Sequence, residues 1–182
     1  MLKSKKVILR KIKQKDLPLL YQWINDPEIA KFWYGRDKPR SKDWVKKHFT
    51  SMIEGKSESQ CFIIEVQNRP IGFMYNTPHK EDDGPGFSGR IELDIMIGEK
   101  DEWRKGYGTD ALRTMIDYAF NKQKAERVYI IPRVSNTRAI HLYGKVGFKK
   151  EGILRHYEKF EGKWIDCLMM AILKREFKKQ KN

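Results

Sequence analysis

The alternation of apolar and polar residues predicts short strands separated by amphipathic helices. Residues 7–10 are predicted as the first strand. The helix that follows has Asp16 as its predicted N-cap, and its apolar residues repeat at the i, i+3, i+4, i+7 spacing of one helix face: Leu17, Leu20, Tyr21 and Ile24. A second helix is predicted to begin at Ser41 and to bury a stripe of Trp44, Val45, Phe49 and Met52. Between these helices, the aromatic segment 32–35 is a candidate pocket wall.

The rest of the chain continues this mixture of elements. Two apolar runs, 62–66 and 71–75, predict a hairpin through the turn residues 68–70. A polar loop rich in Gly and Pro is expected from Lys80 to Gly89. Further strands are predicted at 91–97, 128–131, 148–153 and 164–173, and further helices at 109–120 and 137–146. This order predicts an α/β (α+β) fold in which one mixed sheet carries helices on its faces.

Composition limits the class of protein. A chain of 182 residues, 40% hydrophobic, is the size of one folded domain, and we expect a single domain over residues 1–182. Its apolar runs are too short to span a bilayer, and the basic start of the chain lacks the apolar core of a signal peptide, so a cytoplasmic location is expected. Cys61 and Cys167 have no C-x-x-C spacing, which predicts two buried reduced thiols.

The net charge of +14 raises nucleic acid, an anionic cofactor or an acidic partner as binding candidates. The basic residues are scattered and no nucleic-acid-binding signature accompanies them, so a dedicated nucleic-acid role is not favoured. The basic segment 174–181 is most simply a solvated helix end or frayed tail. The four histidines have no paired-ligand spacing, so no metal is expected. The G-x-G-x-x-G match at residues 84–89 is rejected because an acidic run precedes it and a predicted strand follows it.

The strongest chemical signal is a predicted strand that ends at residues 94–98 and is followed by Arg104-Lys105-Gly106-Tyr107-Gly108-Thr109 at the start of a helix. Gly106 and Gly108 lack a Cβ, so backbone N–H groups can approach one anion closely, and the helix dipole favours negative charge at the same point. This pattern predicts a pyrophosphate site. A tight turn without a ligand is the alternative.

A second signal covers residues 136–148. Asn136, Ala139 and Tyr143 share one face of the predicted helix, with a small residue where a ligand arm could pass. The alternative is that Tyr143 is a core aromatic residue and Gly147 ends the helix.

Together the two segments resemble the GNAT superfamily of acyl-CoA-dependent N-acetyltransferases. The pyrophosphate loop of that family reads Q/R-x-x-G-x-G/A, which we assign to residues 104–109. Its later motif, N-x-x-A-x-x-x-Y-x-x-x-G-F, is assigned to residues 136–148. The resemblance covers nearly the whole chain and implies a twisted, mostly antiparallel sheet flanked by helices.

The resemblance also implies roles for the residues of both segments. The backbone of Ile95, Met96 and Ile97 would contact the pantetheine arm of acetyl-CoA, and residues 104–109 would hold its pyrophosphate. Asn136 would hydrogen-bond the pantetheine beside Ala139. Tyr143 would protonate the departing thiolate, because a phenol keeps its proton at neutral pH.

The amine acceptor needs a base, because an aliphatic amine with a pKa near 10 is mostly protonated at neutral pH. Glu92 and Asp94 alternate with apolar residues, so both carboxyls are predicted on one face of their strand. Both are catalytic candidates, with Asp94 preferred. Two solvated surface acids are the alternative.

The identity of the acceptor is less defined. The N-terminal half, including residues 17–23, 32–38 and 46–49, resembles aminoglycoside 6'-N-acetyltransferases, whereas residues 148–155 and 166–167 resemble the ribosomal-protein and polyamine branch. We favour a small cationic amine such as an aminoglycoside, which would allow a resistance phenotype. Trp33, Tyr34, Asp82 and Asp94 are the candidate substrate residues. A protein N-terminus, polyamine or amino sugar is the alternative acceptor, and an acyl-CoA-binding sensor is the non-enzymatic alternative. A monomer or a homodimer is expected.

Overall fold

The fold is organised around one eight-stranded sheet. The computed structural model describes residues 1–33, 38–79 and 88–179, and describes residues 178–179 by their backbone alone. The strands are β1 Leu2–Lys3, β2 Ile8–Lys11, β3 Gln60–Val66, β4 Arg69–Pro78, β5 Arg90–Ile97, β6 Arg127–Ile130, β7 Lys149–Phe160 and β8 Lys163–Leu173. The α-helices in these ranges are α1 Leu17–Asn25, α2 Pro27–Ala30, α3 Lys42–Ile53, α4 Tyr107–Asn121, α5 Thr137–Val146 and α6 Lys174–Lys179.

The sheet is mixed and mostly antiparallel, as expected. Its strand order is β1-β2-β3-β4-β5-β6-β8-β7, and β5 with β6 forms the one parallel pair among the described strands. That pair is short, because its ladder joins only residues 90–92 to residues 127–129. On its other edge, β5 pairs with β4 from Ile91 to Ile97. The two central strands therefore part after three residues.

Two hydrophobic cores lie on opposite faces of the sheet, because successive strand residues point to opposite sides. On β3, Phe62 and Ile64 join the core that includes α4, whereas Cys61 and Ile63 join the core that includes α1 and α3. Cys61 and Cys167 are both buried free thiols, as predicted. Within the described residues, no helix is long and apolar enough to cross a membrane.

The N-terminal turn is fastened to the first turn of α4. The Asp110 carboxylate accepts hydrogen bonds from the Ser4 hydroxyl and from the backbone N–H groups of Lys6 (3.0 Å) and Val7 (3.2 Å). This single acidic side chain therefore holds the start of the chain against the helix that begins at Tyr107.

Asp16 is the N-cap residue of α1, as predicted, but its side chain has a different role. Its side chain does not cap α1. It is buried, and its carboxylate instead accepts two hydrogen bonds from the Arg10 guanidinium (2.7 and 2.8 Å) and one from the Lys13 N–H (2.8 Å). The carboxylate binds the Arg10 guanidinium instead of a helix N–H group, because a bidentate, charge-assisted contact is stronger than a single hydrogen bond to the backbone.

Other differences follow from packing that the sequence pattern did not reveal. Trp44 and Met52 are only partly buried, whereas Val45 and Phe49 are in the core as predicted. The basic C-terminal segment is a helix over Lys174–Lys179, but it is packed as well as solvated, because Phe177 is buried against Phe120 at a ring distance of 5.5 Å. Strand β7 continues to Phe160, beyond its predicted end at residue 153. The sequence pattern did not predict this extension, because most of it is exposed and carries no apolar run. Most of the predicted polar loop, residues 80–87, lies outside the described residues.

The close approach of β4 to β5 at Gly72 gives a test of the sheet. A Cβ at Gly72 would lie 2.2 Å from the Met96 carbonyl oxygen, and backbone atoms cannot move aside as a side chain can. We expect Gly72→Ala to destabilise the protein by about 1–3 kcal/mol or more, measured by urea unfolding.

The matched control is Gly144→Ala. Gly144 lies on the exposed side of α5 with no atom within 4 Å of a built Cβ, so this change should be neutral or stabilising by up to about 1 kcal/mol. Equal effects of the two substitutions would contradict the packing at Gly72.

Candidate active site

A cavity of about 1000 Å³ opens where β5 and β6 part. The Met96 carbonyl points toward β4 at Gly72, so the peptide groups of Ile95 and Ile97 point the other way, toward the cavity. Ile95, Met96 and Ile97, which were selected from the sequence, all line the cavity. The Trp103 indole N–H donates to the Ile97 carbonyl (2.9 Å). The rest of this edge has no strand partner among the described residues, which leaves backbone donors and acceptors for a ligand.

The N-terminus of α4 opens into the same cavity. Gly106 is the N-cap residue with φ 85°, a left-handed conformation that favours glycine. No side chain in the described ranges caps this helix. The cavity lining includes the residues of the predicted loop and first turn: Arg104, Gly106, Tyr107, Gly108 and Thr109. Their uncapped N–H groups and the positive end of the helix dipole form an anion site.

Positive side chains surround this anion site. Arg104, also at a positive φ of 66°, and Arg138 both line the cavity, and Arg138 stacks on the Trp103 ring at 4.3 Å. Burial and the neighbouring Arg104 charge lower the pKa of Arg138. The Lys6 ammonium donates to the Lys105 carbonyl (3.2 Å) next to Gly106. Sequence reasoning did not select Arg138 or Lys6, because their proximity depends on α5 and on the N-terminal turn.

Two details of the predicted loop differ from expectation. The family pattern Q/R-x-x-G-x-G/A has its first residue three positions before Gly106, which is Trp103, so the assignment of that position to Arg104 was wrong. The Lys105 ammonium forms an ion pair with Glu102 (2.9 Å), and Lys105 does not line the cavity.

The predicted residues of α5 lie along the cavity together. The Asn136 side-chain oxygen accepts from the Ala139 N–H (3.2 Å) as the N-cap of the helix. Its amide nitrogen is thereby left as a donor on a cavity-lining residue. Tyr143 is 6% exposed and contributes to the core while it also lines the cavity. Burial, with the nearby Asp94 charge, raises the pKa of Tyr143 well above its usual value, so its hydroxyl keeps its proton. Gly147 ends the helix at φ 114°.

Glu92 and Asp94 both line the cavity. The Tyr129 hydroxyl lies 3.2 Å from the Glu92 carboxylate. Burial, with the nearby Glu92 charge, raises the pKa of Asp94 from 3.8 to about 7. A carboxyl with that pKa can exchange protons at neutral pH.

An aromatic wall, formed by Trp33, Trp44, His48 and Tyr75, faces the cavity. The Trp33 and Tyr75 rings are 5.8 Å apart, and the His48 Nε2 lies 3.1 Å from the Tyr75 hydroxyl. His48 also stacks on Trp44 at 4.6 Å. Trp33 was selected from the sequence, whereas Tyr75 and His48 were not, because strand and helix packing alone brings them together. Two further predicted substrate residues, Tyr34 and Asp82, lie outside the described residues.

A buried ion pair supports the segment that carries Trp33. Arg133 and Glu158 are both buried and form two hydrogen bonds of 2.8 and 2.6 Å. A third Arg133 nitrogen donates to the Lys31 carbonyl (2.6 Å), two residues before Trp33. This pair joins the segment after α2 to β7. In the described ranges, no cluster of three or more His, Cys, Asp or Glu side chains is arranged to hold a metal ion.

The geometry thus combines two different environments in one cavity. One end offers an anion site at α4 and backbone groups along β5, and the other offers carboxyls and aromatic rings. A buried phenol, Tyr143, lines the same cavity. This arrangement can hold an anionic ligand beside a cationic one and exchange protons with either.

Comparison with known proteins places the chain among acetyltransferases. The model of the acetyltransferase (GNAT) domain matches residues 6–149. An uncharacterised N-acetyltransferase p20 of Bacillus licheniformis is 30% identical over 178 residues, covering 96% of each chain. Aminoglycoside N(6')-acetyltransferase type 1 of Klebsiella pneumoniae is 28% identical over 155 residues, which are 80% of this chain and 75% of that protein.

A solved structure shows the same fold. Spermidine N-acetyltransferase from Vibrio cholerae, determined in complex with CoA and spermine, superposes with a TM-score of 0.82. The superposition covers 96% of this chain and 99% of that one at 23% sequence identity.

The raised pKa of Asp94 makes a prediction about stability. Its pKa in the folded protein lies above the ordinary value, so the protonated form is favoured by folding. The stability from this group is fully present below about pH 4 and is lost as the pH rises through about 7. Asn stays neutral at every pH, so Asp94→Asn should gain stability over the native protein across this window, by about 1–3 kcal/mol at its upper end.

Urea unfolding at a series of pH values measures this difference. Asp43→Asn, on the exposed surface of α3, controls for the loss of one negative charge and should change stability less at the upper end of this pH window. A difference between Asp94→Asn and the native protein that stays flat with pH would contradict the environment described for Asp94.

Proposed function

Because the chain belongs to the GNAT family of acetyl-CoA-dependent N-acetyltransferases, we propose that it acetylates a primary amine of a small polycation, with the 6'-amine of an aminoglycoside as the leading example. The observation that carries the proposal is that Asp94, a carboxyl with a pKa of about 7, lines the same cavity as an anion site and an aromatic wall.

The residues of the anion site fit the diphosphate of acetyl-CoA. The α4 N–H groups, Arg104 and Arg138 would hold the diphosphate, whose charge would also offset the repulsion between the two guanidinium groups. The Asn136 amide and the free edge of β5 would bind the peptide-like pantetheine arm. When bound, acetyl-CoA supplies the activated acetyl group as a thioester. The related spermidine N-acetyltransferase, which has this fold, was determined with CoA bound.

Asp94 is the proposed base. An alkylammonium with a pKa near 10 is about three pKa units from a carboxylate at 7, a difference of about 4 kcal/mol that a desolvated cavity reduces by disfavouring the ammonium charge. Removal of one proton from the ammonium by Asp94 frees the nitrogen lone pair to attack the thioester carbonyl. Glu92 contributes through its charge, which raises the pKa of Asp94.

Tyr143 is the proposed acid. Its hydroxyl is protonated at every physiological pH because burial raises its pKa, so it can donate a proton to the departing thiolate. The nitrogen loses its second proton as the amide forms, and that proton restores the Tyr143 hydroxyl. Asp94 and Tyr143 line one cavity from different elements, β5 and α5, which supports a base and an acid that act on the same bound ligands.

The cationic character of the acceptor is supported by the other end of the cavity. Aromatic faces attract cations, and the carboxyls of Glu28, Glu92 and Asp94 line the same space. The aminoglycoside acetyltransferase is 28% identical, and the related spermidine enzyme was determined with spermine, so a polyamine is the second candidate acceptor. A protein N-terminus, which would need an open groove, is a further candidate acceptor. A non-catalytic sensor would not need a base and an acid in its cavity, so the presence of Asp94 and Tyr143 argues against that alternative.

Thiol release from acetyl-CoA tests the proposal directly. With a panel of aminoglycosides, polyamines, amino sugars and N-terminal peptides, we expect turnover with aminoglycosides above all. Tyr143→Phe and Asp94→Asn should each lower kcat by about 100-fold or more, because each removes a proton-transfer group, while acetyl-CoA affinity by calorimetry should change little.

Tyr118→Phe is the matched control, because Tyr118 packs against Phe62 away from the cavity. Turnover with peptides or polyamines alone would replace the leading acceptor. Acetyl-CoA binding without turnover on any amine would favour the sensor.

The pH dependence of kcat/KM tests the role of Asp94. The base must be deprotonated, so activity should fall as the pH drops through about 7. Glu92→Gln removes the charge that helps raise this pKa, so the acidic limb should move to lower pH. The measurement is a pH–rate profile of both proteins, and an acidic limb at the same pH in the two would contradict the assignment.

A further inference from the structure

Arg133 connects two other residues of the cavity lining, Glu158 of β7 and Lys31 of the segment after α2. It is 6% exposed, and its guanidinium stacks on the Phe160 ring at 4.1 Å. Its Nε and Nη2 donate to the two Glu158 carboxylate oxygens (2.8 and 2.6 Å), and its Nη1 donates to the Lys31 carbonyl (2.6 Å). All three guanidinium nitrogens are therefore bound, and the orientation of the group is fixed.

The backbone of Arg133 is held on the sheet. On one side of it, the Leu168 N–H donates to the Pro132 carbonyl (2.8 Å). On the other side, the Val134 N–H donates to the Asp166 carbonyl (3.0 Å). Both partners belong to β8, so the guanidinium extends from a fixed support.

The segment that Arg133 reaches carries Trp33. Residues 31–33 belong to neither a helix nor a strand. The backbone N–H groups of Lys31 and Trp33 donate hydrogen bonds of 3.2 and 2.9 Å, and both go to carbonyls of α2, which is only four residues long. The hydrogen bond from Arg133 to the Lys31 carbonyl instead joins this segment to the sheet.

Trp33 lies beside the strand that carries the proposed base. Its ring centroid is 5.1 Å from that of Phe73 and 5.8 Å from that of Tyr75. Tyr75 and Asp94 are register partners on β4 and β5, so their side chains point to the same face of the sheet. Trp33, Tyr75 and Asp94 all line the cavity. A shift of the Trp33 ring would therefore change the space in which an acceptor meets Asp94.

We propose that Arg133 and Glu158 are positioning residues that set the affinity for the amine acceptor by fixing Trp33. The inference rests on the proposed acetyl transfer and deepens it. Arg133 acts through the Lys31 carbonyl. Glu158 acts through Arg133, because it binds two guanidinium nitrogens and so directs the third toward Lys31. The held Trp33 ring then offers its face to a cationic acceptor.

A direct effect of charge is the alternative to positioning, because Glu158 lines the cavity and the acceptor is a cation. The Glu158 carboxylate is paired with the Arg133 guanidinium at 2.6 Å. Two opposite charges at this distance largely cancel at a third charge farther away, so the pair attracts a cation weakly. The contact with Lys31 therefore carries the expected effect.

A neutral replacement of the pair tests the proposal. Arg133→Met with Glu158→Gln removes both charges together, which avoids leaving one buried charge without its partner. We expect the KM for the acceptor to rise about fivefold or more, while kcat and the KM for acetyl-CoA stay within about twofold of native. Asp94 and Tyr143 are untouched, and the Asn136 N–H keeps its bond to the carbonyl of residue 133 (2.9 Å). The acceptor is kanamycin, or spermidine if polyamines alone are turned over.

A double-mutant cycle with Trp33→Ala separates positioning from a direct contact. If the pair acts through Trp33, its replacement should raise the acceptor KM less than about twofold once the Trp33 ring is absent. A direct contact between Glu158 and the acceptor would give the same rise in both backgrounds. Equal rises would therefore overturn the proposal.

Arg10→Met with Asp16→Asn is the matched control. This pair is also bidentate and largely buried, with hydrogen bonds of 2.7 and 2.8 Å, but it does not line the cavity. Its replacement should lower the midpoint of thermal unfolding and leave the acceptor KM within about twofold of native. Acetyl-CoA binding by calorimetry shows that each variant is folded.

Arg133→Lys covers the case in which the neutral replacement does not fold. Lys keeps the charge but lacks the planar fork that binds Glu158 and Lys31 together, so the same selective rise in the acceptor KM is expected. A native acceptor KM in this variant would overturn the proposal.

The remaining outcomes separate the inference from the proposed function. A native acceptor KM in the folded neutral variant would overturn the positioning role, while turnover by the native protein leaves the proposed function standing. An equal rise in both KM values would also overturn it, because that indicates a general loss of structure. Absence of acetyl transfer by the native protein to every amine would overturn the proposed function, and the inference with it.

Discussion

The parting of β5 from β6 is the feature on which the site depends. The ladder between them ends after three residues, whereas β5 remains paired with β4 to Ile97. A strand held firmly on one edge and free on the other presents its backbone to a ligand without losing its place in the sheet. The following helix, α4, packs into the core through residues such as Leu112 and Met115 and brings its N-terminus to the same gap.

Basic and acidic side chains occupy different parts of this gap, which the net charge of the chain does not reveal. A chain with an excess of 14 positive charges places Arg104 and Arg138 near the α4 N-terminus and keeps Glu92 and Asp94 on β5. Burial and the Arg104 charge lower the pKa of Arg138, and burial and the Glu92 charge raise the pKa of Asp94. An anion would offset the repulsion between the two arginines, and a cation would offset the repulsion between the two carboxylates.

Local sequence predicted the parts of the site whose geometry is local. The Gly106–Gly108 turn, the α5 face with Asn136 and Tyr143, and the shared face of Glu92 and Asp94 depend on spacing alone, and all of them reach the cavity. The aromatic wall, the Arg133–Glu158 pair and the contact between Tyr129 and Glu92 depend on packing between distant segments, which periodicity does not encode. The same applies to Asp16. The sequence signal for an N-cap does not reveal that the Asp16 carboxylate binds Arg10 of the preceding strand instead of the helix N–H groups.

The anchoring of the N-terminal turn by Asp110 has a consequence for the order of folding. Ser4 and Asp110 are separated by 106 positions in the chain, yet their contact fixes the first turn of the helix that forms the anion site. Contacts between such distant segments close large loops and form slowly. Ser4 is synthesised well before Asp110 and must wait for it, so the contact that fixes this anion site forms late, when the two ends of the loop meet.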